Sequence, residues 1–554
     1  MLLGLAAFVA GLIRGAEGPN LGTAQAFANS WQRQDFAAMY TQISSESARR
    51  YLRGEFTDDY EAAQTTATVK SVEVGEASES DSGAAAVVPV SLETHAFGTL
   101  THDLELPLDG GRVDWAPHLV FPGLKPGERL VRHTRVPKRA PILAKDGTAL
   151  AEGRATGRSS PLGTAATAVA GEVSSPARKQ EPELESLGFP PESPTGTSGL
   201  ELAFNTRLAG HPGGELVAAR ADGGGSADGR ILASSEPVAG KPVHTTIDPD
   251  LQQATVAALG STYGGVAVLD ADDGSVRAVA GLAFSAPQPP GSTFKLITTT
   301  AALEDGIVKV SDQFPVDTGT VVEGREIANA HDELCGGTFA ESFAHSCNSV
   351  FAPLGPEIGS ERLVETAENY GFNSPPSLYA EQALRHADIP ASTLPKSIPS
   401  DLDLAVTAIG QGEVLATPLE MASISQTIAD SGVREPTALV SDRALQADAK
   451  PTRVTSADVA STLRELMVGV VTSGTGTAAA LPGIQVAGKT GTAELGPVTG
   501  SATDQRLDAW FTAFAPANDP KLAVAAMVVN SEGDGGTVAA PIVRQVMGSA
   551  FVVG

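Results

Sequence analysis

Three short groupings of nucleophile, base and hydrogen-bonding residues follow one another along the chain: Ser292-Thr-Phe-Lys295, Ser346-Cys-Asn348 and Lys489-Thr490-Gly491. The chain holds no other Ser-x-x-Lys, Ser-x-Asn or Lys-Thr-Gly. Together they can carry acyl transfer through a serine. A serine hydroxyl is a poor nucleophile near neutral pH and needs a neighbouring base to take its proton. On a helix, Ser292 and Lys295 project from one face. Lys295 can act as that base if burial or a nearby positive charge lowers its pKa, and Lys489 can supply the charge. A lone Ser-x-x-Lys is expected about once by chance in a chain of this size, as a helix start followed by a solvated lysine. Three groupings in succession favour the chemical reading.

The flanking residues indicate what must position these groups. Pro289-Pro290-Gly291 stops irregular chain ahead of Ser292, and Phe294, Leu296, Ile297 and Ala301 to Leu303 continue as a buried helical run. Ser292 is therefore expected at a helix N-terminus, where free N–H groups and the helix dipole favour an oxyanion. Lys489 lies in the strand-like run Ile484-Gln-Val-Ala-Gly-Lys-Thr-Gly-Thr-Ala. There Gly491 removes a side chain, so that a substrate backbone can lie alongside. Lys489 and the hydroxyls of Thr490 and Thr492 can then grip a carboxylate.

Pro290-Gly-Ser-Thr-Phe-Lys295 resembles, almost letter for letter, the nucleophile box of the class B penicillin-binding proteins, the D,D-transpeptidases that cross-link peptidoglycan. Thr245-Thr-Ile-Asp248 with Leu251-Gln252, Gly410-Gln-Gly412 with Thr417-Pro418 and Met421-Ala422, Ser473-Gly-Thr475 with Ala478, and Asp508-Ala-Trp-Phe511 extend the resemblance. It implies that Ser292 attacks the carbonyl between the terminal D-alanines of a stem peptide, with Lys295 as base. It also implies that Ser346 relays a proton to the departing D-alanine, that Asn348 holds Lys295 and a substrate amide, and that Lys489, Thr490 and Thr492 bind the carboxylate. The N–H groups of Ser292 and Thr492 then form the oxyanion hole. Stem peptides ending in D-Ala-D-Ala, β-lactams as covalent inhibitors and a membrane glycosyltransferase are the implied partners, and no cofactor or metal is required. The same groups serve a D,D-carboxypeptidase or a non-turnover β-lactam sensor. A serine β-lactamase needs a carboxylate-activated water, and no glutamate motif of that kind stands between Asn348 and Lys489.

With 554 residues the chain is long enough for three or four domains. Its formal charge of −27 argues against nucleic-acid binding. It also leaves capture of an anionic peptide end to local groups such as Lys489. Residues 1–18 hold an apolar run too short to span a bilayer. They are read first as the residue of a membrane anchor, then as a signal segment and last as a buried helix; the remainder should lie on one side of the membrane, which the resemblance implies is the extracytoplasmic face in a bacterium. Residues 19–130 are expected to form an NTF2-like α+β cone of the methicillin-resistance type, acting as a spacer. A helix over Leu21–Tyr51 should precede strands at Thr66–Val74, Ala86–Thr94, Leu100–Leu108 and Arg112–Trp115, with Asp109-Gly110-Gly111 as a hairpin turn. Residues 131–245 resemble a shortened pedestal or dimerisation domain, with about fifty loop-like residues rich in Ala, Gly, Ser, Thr and Pro. For residues 246–554 the resemblance implies a transpeptidase domain, a five-stranded antiparallel sheet packed with helices, which completes a multidomain α+β chain.

The only cysteines are Cys335 and Cys347. In an oxidising compartment they can pair and brace the segment carrying Ser346 and Asn348. Two free thiols, with Cys347 packed inward, is the alternative. The nine histidines show no zinc-binding spacing, and His345 beside Ser346 reads as structural.

Overall fold

The computed structural model describes residues 20–81, 83–221, 229–387, 389–497 and 505–551. The anchor or signal reading of residues 1–18 lies outside these. No helix among the described residues is long and apolar enough to cross a membrane. Contacts divide the chain into two compact units. One comprises residues up to Arg139 with Ser175–Pro194 and Ala209–Gly240, and the other comprises Ala140–Ser174, Thr195–Leu208 and everything from Lys241 onward.

In the first unit the expected single helix over Leu21–Tyr51 is three helices, Leu21–Gln32, Phe36–Thr41 and Ser45–Arg50. The breaks are local. Gln34 adopts a left-handed φ of 58°, and Asp35 and Ser44 turn their side chains onto backbone N–H groups as N-caps. A fourth helix, Arg53–Ala67, precedes an antiparallel sheet of Val69–Val74, Ala85–Thr94, Gly98–Asp109 and Arg112–Val113, with Ser78–Glu79 on its flank. Phe27, Trp31, Phe56, Tyr60 and Trp115 fill the space between helices and sheet. The rings of Phe56 and Trp115 lie 4.8 Å apart. A second sheet joins Glu128–Arg135, Gly213–Arg220 and Arg230–Ser235.

The stretch expected to be loop in the pedestal region contains real elements. Thr164–Ala170 is a helix that buries Ala165, Ala166, Val169 and Ala170, and Val173–Ser174 pairs with Thr195–Gly196 in the same unit. Glu181–Ser186, in the first unit, is also helical. Alanine is both the best helix former and a small apolar residue, so a composition that reads as linker here makes a short packed helix. Arg158 forms a nearly buried ion pair with Glu201 at 2.7 Å and also donates to the carbonyls of Ala140 and Ala151.

The second unit is built on a five-stranded antiparallel sheet in the order Val276–Gly281, Gly264–Asp270, Leu522–Ser531, Gln505–Ala515 and Ala487–Pro497. Helices Pro249–Leu259 and Ala540–Phe551 cover one face through Leu251, Leu259, Val543, Val546 and Met547. The other face meets Pro418–Ala429 and the helices around the three motifs. The edge strand Val276–Gly281 is closed by a side chain. Gln252 donates to Val279 O and accepts from Val279 N, each at 2.8 Å, and its amide also donates to Ala165 O at 2.8 Å. It substitutes for a neighbouring strand at the edge.

Gln252→Ala strips all three bonds inside the core. It is expected to cost about 2–4 kcal/mol, the scale of leaving buried backbone groups unpaired, and to appear as a lowered thermal midpoint. An unchanged midpoint would remove Gln252 from the account of this edge.

Candidate active site

Ser292 enters on a 3₁₀ turn, Gly291–Phe294, that runs directly into the helix Lys295–Glu304. The turn is fastened by the Thr293 hydroxyl, which donates to Pro290 O at 2.8 Å, and by Gly291 N, which donates to Gly410 O at 2.9 Å. Ser292 thus stands half-exposed at the mouth of a helix whose other residues, Lys295 to Ala302, are buried.

The strand bearing Lys489-Thr490-Gly491-Thr492 is the open edge of the sheet, in register with Thr512, Phe511, Trp510 and Ala509. It lies hard against the nucleophile turn. A Cβ on Gly291, whose φ is +53°, would sit 2.4 Å from Thr492 O, and one on Gly491 would sit 2.5 Å from Pro290 O. Each glycine is required by the other's backbone.

Ser346 links helices Phe339–Ala344 and Asn348–Ile358 in a left-handed conformation with φ 62°. Cys335 and Cys347 are disulfide-bonded, with Cα atoms 5.4 Å apart, so the segment between the helices is tied to the strand Cys335–Thr338. Asn348 is oriented from both ends. Its Oδ1 accepts from Lys295 Nζ at 2.8 Å and its Nδ2 donates to Ala328 O at 2.8 Å. The Ala328 carbonyl can only accept, so the Asn348 nitrogen must face it, which settles the amide orientation.

Lys295 and Lys489 are both fully buried, and their amines converge on one hydroxyl. Lys295 Nζ lies 3.2 Å and Lys489 Nζ 2.9 Å from Ser346 Oγ. Lys295 also donates to Ser346 O at 2.7 Å, and Lys489 to Thr490 O at 3.2 Å. The amines lie over the rings of Phe351 and Phe343. Burial, and secondarily the charge of Lys489, holds the Lys295 amine well below the usual lysine range. Burial brings Lys489 down to about 7. The two N–H groups of a neutral Lys295 amine suffice for its shortest contacts, to Ser346 O and Asn348 Oδ1, which leaves the Ser346 hydroxyl as the contact over which a proton can pass.

All eight residues singled out from the sequence are brought together: Ser292 and Lys295 on the helix entry, Ser346 and Asn348 on the linking segment, and Lys489, Thr490, Gly491 and Thr492 on the sheet edge. Three further residues support them. Gln411 Nε2 donates to Thr492 O at 3.3 Å, Thr475 Oγ1 lies 2.6 Å from Thr490 Oγ1, and Gly535 N donates to Thr492 Oγ1 at 3.3 Å. Gln411 and Thr475 stood inside recognisable motifs but had no assignable role. Gly535 carried no signal, because its contribution is a backbone N–H.

Comparison with known proteins agrees with this geometry. The family model described as penicillin binding protein transpeptidase domain matches residues 264–548. The NTF2-like N-terminal transpeptidase domain matches residues 20–128 and the penicillin-binding protein dimerisation domain residues 144–245. The peptidoglycan D,D-transpeptidase PbpA of Mycobacterium tuberculosis is 37% identical over 292 residues, which is 49% of this chain and 56% of the relative. PbpA of Mycolicibacterium smegmatis is 36% identical over 296 residues, with the same coverage. The chain therefore spans about half the length of the curated relatives it matches. Among solved structures, penicillin-binding protein A of M. tuberculosis as a penicillin G acyl-enzyme complex is 30% identical with a TM-score of 0.58, covering 75% of this chain and 99% of that one. The D,D-transpeptidase domain of a peptidoglycan glycosyltransferase from Eggerthella lenta is 28% identical, also with a TM-score of 0.58 and the same coverage.

Burial of Lys489 makes a statement about stability. Below pH about 7 the fold holds a charged amine that the unfolded chain would solvate, so the destabilisation is fully present there. It fades as pH rises from about 7 toward 10.5, the ordinary value. Lys489→Met should therefore raise the thermal midpoint at pH 6, with a gain that shrinks steadily as the pH is raised to 9. A gain independent of pH would mean that Lys489 is not a perturbed lysine.

Proposed function

Since the chain belongs to the penicillin-binding protein transpeptidase family, we propose that it is a peptidoglycan D,D-transpeptidase that cross-links stem peptides through an acyl-serine intermediate and is inhibited by β-lactams. The observation that carries this reading is the convergence of two buried lysine amines on Ser346 Oγ beside the helix entry bearing Ser292.

Ser292 Oγ attacks the carbonyl carbon between the two terminal D-alanines, and its proton passes to Lys295. An amine held neutral by burial is matched to that task. The N–H groups of Ser292 and Thr492 receive the developing oxyanion, which the contact between the nucleophile turn and the sheet edge makes possible. As the C–N bond breaks, the proton moves from Lys295 through the Ser346 hydroxyl to the departing D-alanine amine. Lys489 and hydroxyls of the Lys-Thr-Gly-Thr strand hold the substrate carboxylate, while Asn348 keeps Lys295 and the stem-peptide amide in place. An amine of a second stem peptide then attacks the Ser292 ester, forms the cross-link and restores the serine. This work belongs on the extracytoplasmic face of the membrane, where a membrane glycosyltransferase supplies the strands to be joined.

Intact-mass measurement after incubation with benzylpenicillin tests the reading. The expected result is a stable adduct of one drug molecule on the wild-type chain, absent from Ser292→Ala. Hydrolysis of the drug without a lasting adduct would instead assign the site to a β-lactamase, and intact drug with no adduct would remove the acyl-serine mechanism.

A further inference from the structure

The helix that carries Asn348 starts without a cap of its own. Its N-cap position is Cys347, whose side chain is committed to the disulfide and makes no capping bond. The first N–H groups of a helix have no partner within it. Asn329 supplies one from outside: its Oδ1 accepts from Ser349 N at 2.9 Å. Its Nδ2 donates to Asp317 O at 2.8 Å, to Glu333 O at 3.1 Å and to Ser349 Oγ at 3.2 Å. Carbonyls only accept and a backbone N–H only donates, so this amide too has one orientation.

Asn329, 5% exposed, stands at the foot of an exposed hairpin formed by Gly319–Val322 and Arg325–Ala328. A two-stranded hairpin is marginal by itself. Here its base is pinned, because Asn329 N also donates to Thr318 O at 2.7 Å. Beyond Asn329 the chain turns back through two consecutive left-handed residues, His331 at φ 56° and Asp332 at φ 53°, before Glu333 O meets the Asn329 amide.

What the hairpin contributes to the site is the carbonyl next to Asn329. Ala328 O accepts from Asn348 Nδ2, and this leaves Asn348 Oδ1 facing Lys295. The direction matters to the base. A neutral amine has one lone pair. With Oδ1 toward it, Lys295 donates to Asn348 and keeps that lone pair for the Ser292 proton. An Asn348 amide turned over would aim its N–H at the lone pair and occupy it.

Resting on the acyl-serine reading above, we propose that Asn329 is a positioning residue that clamps the hairpin to the Asn348 helix, so that Ala328 O holds the Asn348 amide with its oxygen toward Lys295. Its influence on the chemistry passes through Ala328 and Asn348.

The test times acylation of Ser292 by benzylpenicillin, followed by intact mass, in Asn329→Ala, Asn348→Ala and the double variant. Asn329→Ala is expected to slow acylation at least about tenfold, the scale of a misplaced catalytic group. In the Asn348→Ala background there is no amide left to orient, and adding Asn329→Ala should cost less than about twofold. A merely structural role, acting by loosening the start of the helix, would cost the same in both backgrounds. Equal costs, or a loss under about twofold in a folded Asn329→Ala, overturn the proposal. Should any variant of this cycle fail to fold or to acylate, Gly319→Ala decides. Its Cβ would lie 2.7 Å from Ile327 O and 3.0 Å from Ala328 Cα, so it displaces the Ala328 carbonyl while leaving Asn329 and Asn348 in place. Slower acylation with an unmoved thermal midpoint is expected of it, and an unchanged rate overturns the proposal. Absence of any adduct on the wild-type chain would instead be a failure of the acyl-serine reading, visible before any variant is made.

Discussion

The site depends on keeping two lysine amines out of water within reach of one serine oxygen. Isolated ammonium groups are among the most expensive things to bury, and they respond by giving up their protons more readily. Here the surroundings lessen the cost without removing it. Ser346 O, Asn348 Oδ1 and Thr490 O accept from the amines, and Phe351 and Phe343 present ring faces to them. Those acceptors are enough to hold geometry and too few to restore ordinary basicity, which is what a general base near neutral pH requires. Replacing either lysine by an apolar residue would make an easier core and end the chemistry.

Bringing the three motifs to one point requires backbones, not only side chains, to touch. Gly291, Gly410 and Gly491 permit this, because a Cβ on Gly410 would lie 2.0 Å from Gly291 O, just as those on Gly291 and Gly491 would strike Thr492 O and Pro290 O. The contact joins the nucleophile turn to the open edge of the sheet. An open edge is ordinarily a liability in a sheet. Here its far end, at Val276–Gly281, is closed by the Gln252 amide, while the end bearing Lys489 is left with room for an extended substrate backbone to lie alongside.

The chemistry was legible in the sequence because each of its requirements leaves a residue type at a fixed spacing: Ser292 and Lys295 three apart, Ser346 and Asn348 two apart, Lys489 ahead of two small residues. The five-stranded sheet came with the family resemblance, whereas the helix behind Ser292 was legible from Phe294, Leu296, Ile297 and Ala301 to Leu303. What escaped was decided by single backbone groups or by weak local preferences. The break at Gln34 depends on one left-handed residue, the helix Thr164–Ala170 hides in a linker-like composition, and the N–H of Gly535 has no side chain to announce it. The pairing of Cys335 with Cys347 was open for a different reason, since spacing along a chain says nothing about Cα distance.

Ser346 shows how local strain and global packing answer one another. A serine at φ 62° is in a region that non-glycine residues avoid, at a cost of about 1–3 kcal/mol, and it stays there only if its neighbours leave no alternative. On its C-terminal side, Cys347 is bonded to Cys335 and Asn348 is held between Lys295 and Ala328. On its N-terminal side, Ala344 O is occupied by Thr475, in a loop packed against Gly536. The left-handed turn aims both the carbonyl and the hydroxyl of Ser346 at Lys295, two acceptors that one relaxed helical residue would not direct to the same amine. The strain at this residue is therefore what brings the second motif to the first, and the disulfide on one side and the Thr475 loop on the other are the reason it persists.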